Sequence, residues 1–344
     1  MTATETEASM YRSRIPAWRI TLSALLTMTA LAIPAGADTR ARSGTGTIMC
    51  AVSHSAPHHE ITVTVDRTTA SEMLHDTLAY PGPCAVYGAP STPLGAGSLR
   101  AYAQIVDGSP QSVGVVFPRS VLSALPTDPT DGRHCYDTDN DQTLDPHTEC
   151  IGGHERPLAL PSQLTNLPQM PLRWAMVNYN PAGHGPPHIY DTAHFDFHFY
   201  LQPREKVQAI RMGPCGVVIN CDDHATATEP IPARHLPLDY RDRGFAEARM
   251  GNHLVDSTAP EWHGRPLTHT FIYGAYAGEI TFLEPMLTQA WLEGLSTGTN
   301  PTGCHPIKQP RQWQAPGAYL QDYCVRFRAN RCDYTVSLEN FLHG

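Results

Sequence analysis

The sequence predicts an α+β protein that is mainly antiparallel β-sheet with a few short helices, closing as two facing sheets or as a barrel-like core. Three observations lead there. Residues 194–199, His-Phe-Asp-Phe-His-Phe, alternate polar and aromatic, the period of a strand with two unlike faces. Residues 99–106 and 112–117 are two β-rich runs around Asp107-Gly108, a dipeptide that favours the tight turn of a hairpin. Helical periodicity is confined to short stretches, residues 120–125 and 287–295, and the chain closes on two more strand-like runs, 319–328 and 333–338.

The start of the chain reads as an export leader over residues 1–37. Arg12, Arg14 and Arg19 precede an apolar run from Ile20 to Ile33, and Ala35-Gly36-Ala37 is a small-residue cleavage site. The protein is therefore expected to be secreted, the alternative being a chain anchored in the membrane by an uncleaved leader. A net charge of −9 offers no electrostatic attraction for nucleic acid or an anionic membrane. All nine cysteines follow the leader, so disulfides are expected. Close spacing pairs Cys50 with Cys84, Cys135 with Cys150 and Cys215 with Cys221. Cys304, Cys324 and Cys332 share what remains, and one thiol is left over.

Residues 38–94 form an N-terminal extension rich in Pro, Ser and Thr around one strand, 60–65. Its His54, His58 and His59 are read as surface histidines. Residues 95–344 form a single histidine-rich, β-dominated domain. Within it, Asp137, Asp139, Asp141 and Asp145 alternate like the first half of a calcium loop. Gln142 stands where the sharp turn prefers Gly, and Glu149 falls one place beyond the usual bidentate position. Calcium is the ion this loop would take, because close carboxylates repel one another without a cation.

Residues 178–200 concentrate His184, His188, His194 and His198 with Asp191 and Asp196. Gly183, Gly185, Pro186 and Pro187 exclude a helix across the first pair. A loop with two histidines thus enters a strand on which His194, Asp196 and His198 share one half-buried face and Phe195, Phe197 and Phe199 the core face. Neighbours on that face are roughly 6.6 Å apart at Cα. Two strand residues and one loop histidine, His184 or His188, can therefore reach one ion, whereas all three strand residues need a bend. A faint echo follows. Met250-Gly251-Asn252-His253 leads to a strand opening at His269, which nominates His253 and His269 as further ligands and Glu279 or Glu284 as a carboxylate from a facing sheet. Gly294-Leu295-Ser296-Thr297-Gly298 matches a nucleophile-elbow pattern, but a helix precedes the Ser where a strand is required.

The succession of Leu164-x-x-Leu167-Pro168-Gln169-Met170, Asn180-Pro181-Ala182-Gly183-His184, the 194–200 strand, Met250-Gly251-Asn252-His253-Leu254-Val255-Asp256, Thr270-Phe271-Ile272-Tyr273-Gly274-Ala275-Tyr276 and the closing Asp333-Tyr334-Thr335-Val336-Ser337-Leu338 resembles a family of uncharacterised, mostly exported bacterial proteins with a Thermus representative. The likeness spans about residues 95–344. It implies a metal site at His184, His194, Asp196, His198 and His253, a homo-oligomer, and a hydrolytic role.

These readings converge on an exported zinc-binding protein acting as a metal-dependent hydrolase. His184, His188, His194, His198, His253 and His269 are the candidate ligands, and Asp196 or Glu284 the candidate base. The alternative is a non-catalytic envelope protein that binds metal or carbohydrate. A small molecule or carbohydrate is the expected partner.

Overall fold

A computed structural model describes residues 46–343; the leader expected at 1–37 lies outside them. Two seven-stranded antiparallel sheets carry the fold. The first runs Tyr240–Glu247, Gly251–Asp256, His269–Tyr276, Glu279–Thr288, His194–Tyr200, Trp174–Asn180 and His154–Leu158, in that spatial order. The second runs Gly303–Pro306, Asp322–Arg328, Asp333–Glu339, Ser109–Pro118, Gly97–Val106 and Val86–Tyr87, with Thr92–Leu94 also paired to Gly97–Val106. Both sheets are open, so the core is a sandwich and the barrel-like alternative is not formed. The inner faces meet through aromatic and β-branched side chains, and Phe117 stacks on Phe197 at 6.1 Å across the interface.

The hairpin expected at 99–117 turns at Asp107 (φ 48°) and Gly108 (φ 75°), the positive pair that a two-residue turn of this hand requires. The run at 120–125 forms only a 3-10 turn, Arg119–Leu122, and the later helix occupies Gln289–Thr297. That helix contains Ser296, so no nucleophile elbow exists there. Thr288 starts it by accepting the Trp291 N–H on its side chain.

The N-terminal region is more ordered than its composition implied. Thr47–Ser53 pairs with Ala56–Val65 and with Tyr80–Pro81, and Arg67–Asp76 is a helix whose cap, Asp66, accepts the Thr68 and Thr69 N–H groups. Residues 86–94 join the second sheet, so the expected boundary at 94 falls inside it. Asn330 and Arg331 hold this region by donating to the carbonyls of Thr77, Leu78 and Ala79.

Disulfides join Cys50–Cys84, Cys135–Cys150, Cys215–Cys221 and Cys304–Cys324, leaving Cys332 as an exposed thiol. No helix among the described residues is long and apolar enough to cross a membrane.

The His194–Tyr200 strand is central in the first sheet, paired to Trp174–Asn180 on one side and Glu279–Thr288 on the other. Alternation puts Phe195, Phe197 and Phe199 in the inter-sheet core as expected. The polar face is not half-open, however: all seven residues are buried. Trp174, Met176, Tyr200, Val207, Met250 and Phe282 pack together in an apolar cluster beside it, and segments from residues 129–153, 181–193 and 245–250 close over it.

Candidate metal centre

The outer face of the first sheet bears a cavity of about 300 Å³. Its floor is the strand face carrying Asp196 and His198, with Asn178 and Asn180 from one neighbouring strand and Glu284 from the other. Its walls are the 181–187 loop with His184, the Gly152-Gly153 turn, and the hairpin that brings Phe245, Glu247 and His253.

His184 reaches the cavity because its loop folds back on itself. The Gly183 N–H donates to the Asn180 carbonyl (3.2 Å) and the His184 N–H to the Tyr190 carbonyl (3.1 Å). Gly183 has φ +71°, and a Cβ there would collide with the Tyr190 carbonyl, so the turn that aims His184 requires glycine. The ring then crosses that of His194 edge-on, centroids 4.6 Å apart.

Two groups of three ligand-type side chains result: His184, His194 and Asp196, and His198, His253 and Glu284. Within each, one potential ligand atom per residue lies within 4.8 Å of the other two. In the first group His194 Nε2 stands 3.3 Å from Asp196 Oδ1, and His184 Nε2 stands 3.6 Å from Asp196 Oδ2. Asp196 Oδ1 is buried and has no hydrogen-bond partner. Ligands of a tetrahedral ion at about 2.0–2.1 Å lie about 3.3 Å from one another, which each of these separations approaches, with the two histidines facing different oxygens of Asp196. In the second group His198 Nε2 is 3.6 Å from Glu284 Oε1.

Three of the histidines are oriented from behind. His184 Nδ1 donates to the Gly185 carbonyl (2.8 Å), His194 Nδ1 to the Thr192 carbonyl (2.6 Å) and His253 Nδ1 to the Phe245 carbonyl (2.9 Å). A carbonyl can only accept, so each Nδ1 carries a proton and Nε2 is the nitrogen turned into the cavity, the orientation usual behind metal-bound imidazole. Asn180 Nδ2 donates to Asp196 Oδ2 (2.7 Å), and Asn178 Nδ2 donates to the Gly152 carbonyl (2.6 Å), tying the floor to the wall.

Burial sets the protonation. It pushes His194 down to about 4 and His198 to about 3, so both are neutral at pH 7. His184 also loses solvation, but the Asp196 carboxylate outweighs this and raises it to about 9. Burial would raise Asp196, yet His194 and His184 hold it below its ordinary value. The histidine beside Glu284, His198, is neutral and gives it no such support. Burial, then the charge of Asp196, pushes it well above the usual carboxylate range.

Two expected ligands lie elsewhere. His188 points to solvent and pairs with Asp191 at 3.8 Å. His269 is on the opposite face, because the register sets Ile272 against Glu284 and His269 against Leu287. Residues three apart on a strand face opposite ways. Its Nδ1 meets the Tyr323 hydroxyl (2.7 Å) and its ring lies 4.2 Å from that of His305. Glu279 is exposed at its strand end. Asp196 and Glu284, expected as bases, both have oxygens turned toward histidine nitrogens.

In the acidic loop, Asp137, Asp139 and Asp141 cluster within 4.8 Å. Gln142 takes the left-handed conformation (φ 69°) that the position prefers glycine for. Asp145 does not join them: its carboxylate caps the next turn, accepting the His147 N–H and the Thr148 hydroxyl. Glu149 turns inward to accept from Thr138 and from the Asp145 N–H.

Reasoning from the sequence missed Asn178, Asn180 and Glu247. The two asparagines interrupt an otherwise apolar strand at alternate positions, directly opposite Asp196 and His194, and that spacing was the available signal. No family model, curated protein or solved structure matches this chain.

Proposed function

We propose that the protein is an exported metal-binding protein, and that a zinc ion held by His184, His194 and Asp196 makes it a hydrolase. The single observation that carries this reading is the convergence of His184 and His194 Nε2 on the two oxygens of the buried Asp196 carboxylate, with each Nδ1 proton committed to a backbone carbonyl. Neutral imidazole with one carboxylate suits Zn²⁺, and three protein ligands leave a fourth position open, the arrangement of catalytic rather than structural sites. Zinc so held supplies Lewis acidity and a water whose pKa falls toward about 7. Asn180 restrains Asp196 by donating to its outer oxygen. Glu247, the remaining carboxylate of the cavity, is the proposed proton acceptor. Four disulfides fit an oxidising compartment. The substrate is a small molecule or a sugar unit that enters between the 183–187 loop and the Gly152-Gly153 turn. Membership of the exported bacterial family with the histidine motifs, and its homo-oligomeric state, belong to the same proposal.

Metal analysis of protein purified from the medium tests this. Zinc should co-purify, and His194→Ala should remove it from the first group and abolish hydrolysis across a panel of chromogenic esters, phosphoesters and glycosides. Wild-type protein that takes up no transition metal when offered it would end the proposal.

A further inference from the structure

We propose that His198, His253 and Glu284 form a second transition-metal site in the same cavity, so that the loaded protein carries two cations per chain. This rests on the reading of the first group as a metal site, and it adds an ion that the first group does not need.

Two of the three side chains carry unmet bonding capacity. His198 and Glu284 are each only 1% exposed at their side chains. Neither ring nitrogen of His198 has a hydrogen-bond partner, and neither has Glu284 Oε2. Buried polar atoms in folded proteins nearly always find partners, and leaving them without destabilises the fold. Here several unpartnered atoms from two adjacent strands lie together. His253 completes the set from a third strand. Its Nδ1 is committed to the Phe245 carbonyl, so its Nε2 is the nitrogen left to bind.

The surroundings are built for this group. Phe282 lies 5.0 Å from the His198 ring and 5.1 Å from the His253 ring, edge-on to both. It fits there only because residue 274 is glycine, since a Cβ on Gly274 would run into the Phe282 ring. The ligand set of two imidazoles and one carboxylate favours Zn²⁺, Co²⁺ or Mn²⁺ over Ca²⁺, which seeks oxygen alone. The rigidity differs too. All three residues are on paired strands, whereas the first group depends on a loop histidine.

The test is metal stoichiometry of the full secreted chain, loaded with Zn²⁺ in excess Ca²⁺ so that oxygen-only sites are occupied, then desalted and assayed by mass spectrometry. Wild type should retain two zinc ions per chain. His253→Ala and the near-isosteric Glu284→Gln should each retain one, and His184→Ala should also retain one. Cobalt loading should give wild type about twice the tetrahedral d–d absorbance per chain of each variant. If wild type retains one ion and His253→Ala and Glu284→Gln keep it, the second site is refuted while the first stands. If wild type retains none, both readings fall. Glu284→Gln guards against a folding defect, because it removes charge without changing shape. A folded Glu284→Gln protein with two ions also overturns the inference.

Discussion

The histidine cavity, with two groups, and the acidic loop, with one, each gather ligand-type side chains in threes within 4.8 Å, yet they differ in what those side chains lack. In the loop, the carboxylates of Asp137, Asp139 and Asp141 already accept the N–H groups of Gln142, Asp141 and Thr143, at 2.9, 3.1 and 2.7 Å. Asp139 and Asp141 are exposed, so water serves their remaining lone pairs, and Asp137 Oδ1 is the one oxygen of the cluster left buried without a partner. In the cavity, the corresponding atoms of Asp196, His198 and Glu284 are buried and unpartnered. Proximity alone is therefore weak evidence for an ion. Proximity combined with burial and unsatisfied valence is strong evidence, because the polypeptide has placed polar atoms where only a cation or ordered water can meet them.

The largest expected effect separates the two regions outright. His194→Ala with His198→Ala should eliminate zinc from the cavity while leaving any calcium at the loop unchanged, read by mass spectrometry of the loaded protein. Zinc at 100 times its dissociation constant stabilises the native state by about 2.7 kcal/mol, and calorimetry should show that increment in wild type only. Equal zinc-dependent shifts in both proteins would erase the contrast.

Opening the Cys135–Cys150 disulfide joins the two regions in one experiment, since it closes the acidic loop and Cys150 lines the cavity. Cys135→Ser with Cys150→Ser should cost about 3 kcal/mol of stability for a loop of this length, measured by denaturant unfolding, and zinc affinity should fall with it. Unaltered zinc affinity in a destabilised protein would show that the loop is not part of the wall.

A smaller effect is the pH dependence of the metal-free protein. Between about pH 4 and 6.5 the unfolded chain protonates the counterparts of His194 and His198, while the folded chain keeps both neutral. The unfolded state then binds more protons, so stability rises with pH. Raised groups act the other way: His184, at about 9, and Glu284 keep protons that the unfolded chain has released. Glu284 partly offsets the rise below pH 6.5. Above 6.5 only the raised groups differ, and stability falls as pH rises toward 9. Thermal melts should peak near pH 6.5. Zinc must displace the His184 proton, so affinity at the first group should weaken about tenfold per pH unit from 9 down to 7. A pH-independent melt would show that these groups are not buried in solution.

The smallest effect lies in the loop. Asp139→Asn keeps the oxygen that accepts the Asp141 N–H and removes one of three clustered charges. A slight stabilisation in calcium-free buffer, erased by salt, should follow. A large effect of either sign would place more than a solvated turn there.

The same contrast shows why part of the site was legible and part was not. Alternation along 194–200 is a local property, so the shared face of His194, Asp196 and His198 was readable, as were the hairpin at Asp107-Gly108 and the disulfide pairs close in sequence. Burial of that face was not, because its covers come from residues 129–153 and 245–250, far along the chain. His253 and His269 looked equivalent by their flanking residues. Only the pairing of His253 with Gly274 fixes parity, and it sends His269, five residues from Gly274, to the other face. Between His184 and His188 the deciding feature is the Gly183 turn, whose direction depends on Tyr190 folding back.

The walls of the cavity have a consequence for what may enter. Asp196, Glu247 and Glu284 line it, and no Lys or Arg among the described residues does so. Whatever sign the chamber shows a visitor is thus decided by its cargo of ions rather than by its own side chains. Empty, it offers an anion only the His184 charge, which Asp196 offsets; with divalent ions seated as proposed, the same walls would attract anions. If the metals proposed above are bound, their supply in the surrounding medium would act as an admission rule for molecules bearing a carboxylate or phosphate.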